Sequence, residues 1–372
     1  MEEMTANEEP KIIDIHPLGK WKRVLLYLGD FFLVFIVSLL LFHLAIYPLG
    51  RLMVDYEGQM TSLHAAQEKR DSVLYHYELL FPSKEQATTY ADFEDNLAYT
   101  AKNYIHAMTD SSFEPKYDVF AHYYREIRQD DAAWVSFYAR LDEKQGFFDI
   151  TSTSVSLKQQ YKEEFAPAFN PDDTMSAQGQ KDYQTFESKI FALGYDALLK
   201  DIENNDLTFD GKSYKTEQNF VSTVLSNGRR LVVVCALVTL LFVWMLNHLL
   251  LPALNKKRKS LAMMFLRIER VHKKTLETPS IPMAYLYAFY SLAAEAVMVI
   301  FIPWGSTNFN ELFSLPILFP ISLFSLAYII GSLVTLLFDA YNRTLGDLLC
   351  QTHCLSADEF DRLVLERGYK QQ

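Results

Sequence analysis

Four apolar stretches interrupt an otherwise polar pattern along this chain, at roughly Val24–Tyr47, Leu231–Pro252, Ala284–Pro303 and Leu315–Phe338. Each approaches the roughly 20 residues that a helix needs to cross hydrocarbon, so four transmembrane helices are expected. A long polar block, residues 51–230, separates the first from the second. Within it, Phe93, Leu97, Ala101, Tyr104 and Met108 recur every three or four positions, as do Phe120, Tyr123, Tyr124 and Ile127. That spacing predicts helices with one buried aromatic face, which Trp134, Phe137, Tyr138 and Leu141 extend.

Further signals divide the block. Pro82 and the Ser83-x-x-Gln86 capping pattern end one helix and start another. The Thr, Ser and Val of 147–157 predict extended chain, and the prolines of 166–173 a loop. Phe186, Ile190, Leu193 and Leu198 predict a helix over Tyr183–Ile202. Asp210-Gly211 predicts a tight hairpin. The fold class expected is an all-α polytopic membrane protein with four transmembrane helices plus a mainly helical extracytoplasmic domain of minor strand content.

Charge sets the orientation. Lys20, Lys22 and Arg23 precede the first span, and a Lys- and Arg-rich segment from Lys256 to Lys274 joins the second to the third. Basic residues at span ends favour the cytoplasm, so both termini are expected there and the large block outside, in a cell membrane. The divisions expected are a cytoplasmic segment 1–23, helix 24–49, outer domain 50–229, helix 230–253, basic loop 254–283, helix 284–303, outer loop 304–314, helix 315–338 and cytoplasmic tail 339–372. The first apolar run exceeds a signal core and lacks a small-residue cleavage site, so it reads as a retained anchor.

The outer block alone carries a charge equal to the whole chain's formal −11. A solvated acidic surface of this kind argues against nucleic acid as a partner. It contains no cysteine, so packing rather than disulfides must hold it. Cys350 and Cys354 flank His353 without a second ligand pair, so no metal is expected. Phosphate-binding loops, HExxH and the Gly-x-Ser-x-Gly elbow are missing, and neither a cofactor nor an enzyme activity is expected.

The ionisable residues inside the spans carry most of the functional information, because they are costly in hydrocarbon and face a bundle interior or a water cavity. Glu295 lies mid-span among small residues, either as an ion-coupling acid or as a partner of Asn247 or His248. Asp30 lies in the cytoplasmic half of the first span and His43 toward its outer end. Asn247 and His248, near the end of the second span, are secondary candidates with His43. Pro316, Pro320, Gly331 and Ser332 are expected as ordinary interruptions of the fourth span.

Arg23-x6-Asp30 at the first span and Arg343-Thr344-Leu345-Gly346-Asp347 after the last form a combination that resembles the RDD family of bacterial membrane proteins, named for one arginine and two aspartates. The resemblance covers roughly Trp21–Phe42 and Leu231–Leu355, and not the outer block. Leu349-Cys350-Gln351-Thr352 departs from the family's usual Leu-Ala-Gly-Thr ending. It implies Arg23, Asp30 and Asp347 as signature positions. Asp347 is expected to meet Arg23 beneath the bundle or to cap a cytoplasmic helix, as a clamp or as an ion gate.

Two functions stay open. One is transport of a small solute or ion, with proton or sodium coupling through Asp30 and Glu295. The other is a membrane-anchored interaction, sensing or assembly role for the outer domain. The partners expected are the lipid bilayer, a small solute or cation, and a second copy or an envelope protein.

Overall fold

The computed structural model describes residues 15–82, 93–109, 114–165, 184, 186–306 and 318–366. The described chain is mostly helical, with six short strands paired into three antiparallel two-stranded sheets. It divides into two compact units, one formed by Met1–Tyr56 with Asn227–Gln372 and one by Glu57–Ser226.

In the first unit, three helices are long and apolar enough to cross a membrane: Lys20–Met53, Tyr214–Leu254 (which begins in the other unit) and Leu318–Phe338. Leu323, Phe324, Ile330 and Val334 of the last are exposed. That helix tolerates Pro320 in its first turn, where no backbone donor is required, and runs unbroken through Gly331 and Ser332.

The two longer helices each contain a π-helical turn, Phe42–Ile46 and Met245–Leu250. Each precedes a proline, Pro48 or Pro252, which removes the donor that the carbonyl four residues earlier would use. The third apolar stretch departs from the expected single span. It forms Ile281–Glu295 and then, after a turn, Met298–Phe301. At the break, Ser325 Oγ accepts from the Val297 N–H at 3.1 Å and donates to the Ala294 carbonyl at 2.8 Å. The interrupted backbone therefore keeps partners for groups that hydrocarbon would leave bare.

The segments read as a basic loop and a tail contain regular structure. Leu261–Phe265 is a short helix capped by Ser260. Strand β5, Ile268–His272, pairs antiparallel with β6, Thr352–Ser356, placing Arg270 opposite Cys354. Leu345–Leu349 and Ala357–Glu366 are helices on either side of β6. Leu18, Leu26, Ala262, Met263, Ile268 and Cys354 form one buried cluster that joins these pieces to the N-terminal helix.

The second unit has its own core. Tyr104, Phe120, Tyr123, Tyr124, Phe137, Tyr138, Phe186 and Phe191 are all buried within it, in line with the helical spacing of these aromatics. The helices Tyr56–His76, Phe93–Thr109, Asp131–Asp142 and Ala192–Asn205 contribute to it, with the helical turns Val119–Ala121, His122–Ile127 and Glu187–Phe191. Asp130 caps the third of these by accepting from the Ala133 N–H.

The extended segment is a hairpin of β1, Phe148–Ile150, with β2, Val155–Leu157. The Asp-Gly signal is also a hairpin, with Asp210 and Gly211 both at positive φ between β3, Thr208–Phe209, and β4, Lys212–Ser213. Tyr183, the capping pattern at Ser83–Gln86, the 166–173 loop and Pro316 lie outside the described residues.

Candidate functional site

Arg23 is only 2% exposed although it lies in the first turns of a helix that begins at Lys20. Its guanidinium pairs with Asp347, which is fully buried in the C-terminal segment. Asp347 is also the third residue of the Leu345–Leu349 helix and completes a capping box with Thr344. Its Oδ2 accepts from the Thr344 N–H at 3.0 Å and hydroxyl at 2.8 Å, and its Oδ1 from the Thr352 hydroxyl at 3.1 Å. The two roles expected for this aspartate, pairing with Arg23 and capping a helix, coexist in one side chain.

Arg270 adds a second buried guanidinium. Its Nε lies 3.9 Å from Asp347 Oδ1, and its charged group sits 3.4 Å from the centroid of the Tyr287 ring. Burial alone would raise the Asp347 carboxyl, but Arg23, Arg270 and Thr344 overcome it and hold the group below its ordinary range. Arg343 of the signature stretch pairs instead with Asp339, through contacts of 2.8 and 2.9 Å.

Asp30 does not join Arg23. Its Oδ1 accepts from Asn247 Nδ2 at 3.4 Å and its Oδ2 from the Ser260 hydroxyl at 3.0 Å. Asn247 Oδ1 in turn accepts from the Leu261 N–H at 3.1 Å. Beside it, His248 Nε2 lies 3.2 Å from Asn247 Nδ2 and 2.8 Å from Glu295 Oε1. Asn247 and His248 are both buried within the π-turn Met245–Leu250. Asp30, Asn247, His248 and Glu295 thus form a continuous polar chain across the first, the central and the interrupted helix.

A cavity of about 30 Å³ opens against this chain, lined by Arg23, Tyr27, Asp30, His248, Glu295 and Tyr328 among others. That is room for about two waters or one small ion. Glu295 is 3% exposed, and its Oε2 has no partner among the described residues, nor has the Tyr27 hydroxyl. Two unsatisfied oxygens at one small cavity are what a water or a cation would satisfy.

Spacing did not reveal Ser260, Arg270, Thr344 or Tyr27. Ser260 and Thr344 had local signals, a helix-capping residue ahead of Leu261-Ala262-Met263 and the Thr-x-x-Asp pattern that ends at Asp347. His43 is not part of the group and sits edge-on to Phe42 at 4.9 Å. Cys350 and Cys354 are buried, and burial pushes the Cys350 thiol up to about 11. Among the described residues no cluster of three or more His, Cys, Asp and Glu side chains is arranged for a metal.

Comparison of the chain with protein-family models, curated proteins and solved structures finds no match.

Proposed function

We propose that this chain is an RDD-like integral membrane protein that moves a small ion, or a solute coupled to one, through the polar chain Asp30–Asn247–His248–Glu295. The observation that carries this reading is the unpartnered Glu295 oxygen facing a small cavity beside a broken helix. Interrupted helices and buried acids recur where transport proteins bind ions. Arg23, Asp30 and Glu295 line the cavity and Asp347 contacts both Arg23 and Arg270, so the set holds two guanidiniums and three carboxylates. One proton on the His248–Glu295 pair, or one cation, balances that set. The cavity volume favours an ion or water over an organic molecule.

In this reading four spans place both termini in the cytoplasm and residues 50–229 outside. Arg23–Asp347 serves as a clamp between the first helix and the C-terminal segment. A second reading, a non-enzymatic interaction or assembly protein, is favoured by the separate aromatic core of the Glu57–Ser226 unit.

Proton and sodium flux into liposomes holding the purified full-length protein tests the first reading. Flux that Glu295→Gln or Asp30→Asn abolishes supports it. No flux under any imposed gradient overturns it and leaves the interaction reading.

A further inference from the structure

Where the long helices end, the first unit carries large apolar side chains that nothing in the unit covers. Trp21 is 81% exposed, Phe265 78% and Leu254 75%, three of the most exposed apolar residues among those described. They lie at the start of the N-terminal helix, on the short Leu261–Phe265 helix and at the end of the central helix. The contacts of Asp30 with Ser260 and of Leu26 with Ala262 and Met263 gather these elements at one end of the bundle.

Basic groups alternate with this apolar set. Lys22, Lys256 and Arg267 are exposed, and none makes an ion pair among the described residues. Of the acids nearby, Glu359 is taken by Arg362, while Asp358 lines the groove beside Trp21 and Lys22 and makes no ion pair among the described residues. Glu269 takes both Lys257, at 3.0 Å, and Lys259, at 2.7 Å. Asp30 holds Ser260 and Asn247, while Asp339 holds Arg343. Lys20 donates to the Leu337 carbonyl, and Arg258 to the carbonyls of Pro252 and Ala253. What remains is a surplus of positive charge set among an indole, a phenyl and an isobutyl group.

That pairing of chemistries matches an acyl-chain boundary beneath a negatively charged headgroup. Aromatic rings settle at the headgroup level, and unpaired Lys and Arg are attracted to anionic lipid. We infer that Trp21, Leu254 and Phe265, with Lys22, Lys256 and Arg267, form a docking surface for anionic phospholipid. The short helix acts as an interfacial wedge, since Ala262 and Met263 face the protein while Phe265 faces out. The inference rests on the membrane reading above and not on ion transport.

Membrane residence is tested first, by retention of the full-length chain in carbonate-washed membranes; loss into the wash overturns the membrane reading itself. Protein purified from retained membranes is then titrated in neutral detergent with dihexanoyl phosphatidylglycerol, dihexanoyl phosphatidylcholine or inorganic phosphate. Saturable binding of phosphatidylglycerol at least about tenfold tighter than phosphatidylcholine is expected. The triple variant K22Q/K256Q/R267Q should lose that preference, and the charge-retaining K22R/K256R/R267K should keep it, which separates charge from folding. Equal binding of the two lipids, an unaltered glutamine variant, or inorganic phosphate binding as tightly as the lipid overturns the inference.

Discussion

Arg23 and Asp347 are 324 residues apart in sequence and form a single buried ion pair that joins the start of the first long helix to the C-terminal segment. The pair is asymmetric. Arg23 donates to Asp347, whereas Asp347 also holds the Leu345–Leu349 helix and Thr352. Asp347→Asn strands Arg23 and Arg270 without their carboxylate, and removing one partner of a buried pair costs about 3–5 kcal/mol. A large fall in the midpoint of thermal unfolding in detergent is expected. A midpoint equal to that of the wild type would show that the pair is not holding the segment.

Glu295→Gln and His248→Ala separate charge from packing. Glutamine keeps the size of Glu295 and a hydrogen-bonding group toward His248, so its stability should stay within about 1 kcal/mol of wild type. His248→Ala removes the partner of a buried carboxylate and should cost about 3 kcal/mol. Denaturation followed by tryptophan fluorescence reads both, and equal losses would contradict the assignment.

Gly50 has no room for a side chain. A Cβ there would lie 2.7 Å from Cys235 Sγ and 3.3 Å from the Leu231 side chain. Gly50→Ala should therefore cost about 1–3 kcal/mol through overpacking between the first and central helices. Cys235→Ala removes the closer contact, so the double variant should recover part of the loss. A double-mutant cycle with no coupling would argue against the close approach.

The Glu57–Ser226 unit should gain stability as pH falls. Burial pushes the carboxyls of Asp71 and Asp118 up to about 6, in Asp71 against the neighbouring Arg70 and in Asp118 against its helix-capping contacts. Folded-state values above the ordinary 3.8 mean that the native state binds more protons than the unfolded one between those values. Stability is then greatest at low pH and is lost as pH rises through about 6, by about 3 kcal/mol per acid. Hydrogen exchange of peptides spanning 119–142 in the full-length protein, corrected for intrinsic rates, should show stronger protection at pH 5 than at 7.5. The reverse order would refute it.

Much of the fold was legible because the chain writes it locally. The apolar runs, the aromatic face at Phe120, Tyr123 and Tyr124, and the turn at Asp210-Gly211 all follow from spacing and backbone preference. Strand β5 was not legible, since Ile268, Glu269, Arg270 and Val271 are all buried and show no alternation. Glu269 and Arg270 tolerate burial only because Lys257, Lys259, Tyr287 and Asp347 meet them. The break after Glu295 was hidden for a related reason: it depends on Ser325, contributed from another helix. Of the site, Glu295 with His248 and Arg23 with Asp347 were expected pairings, while the link from Asp30 to Ser260 spans 230 residues and has no local signature.

The pairing of Arg23 with Asp347 ties an early part of the chain to its last fifth. During synthesis at roughly 5–20 residues per second, Arg23 waits on the order of tens of seconds for its carboxylate. A nascent chain interrupted before Asp347 holds an unmatched guanidinium at the base of its first helix. A chain that stops before Asp347 thus carries an unsatisfied charge by which it differs from one that continues past it.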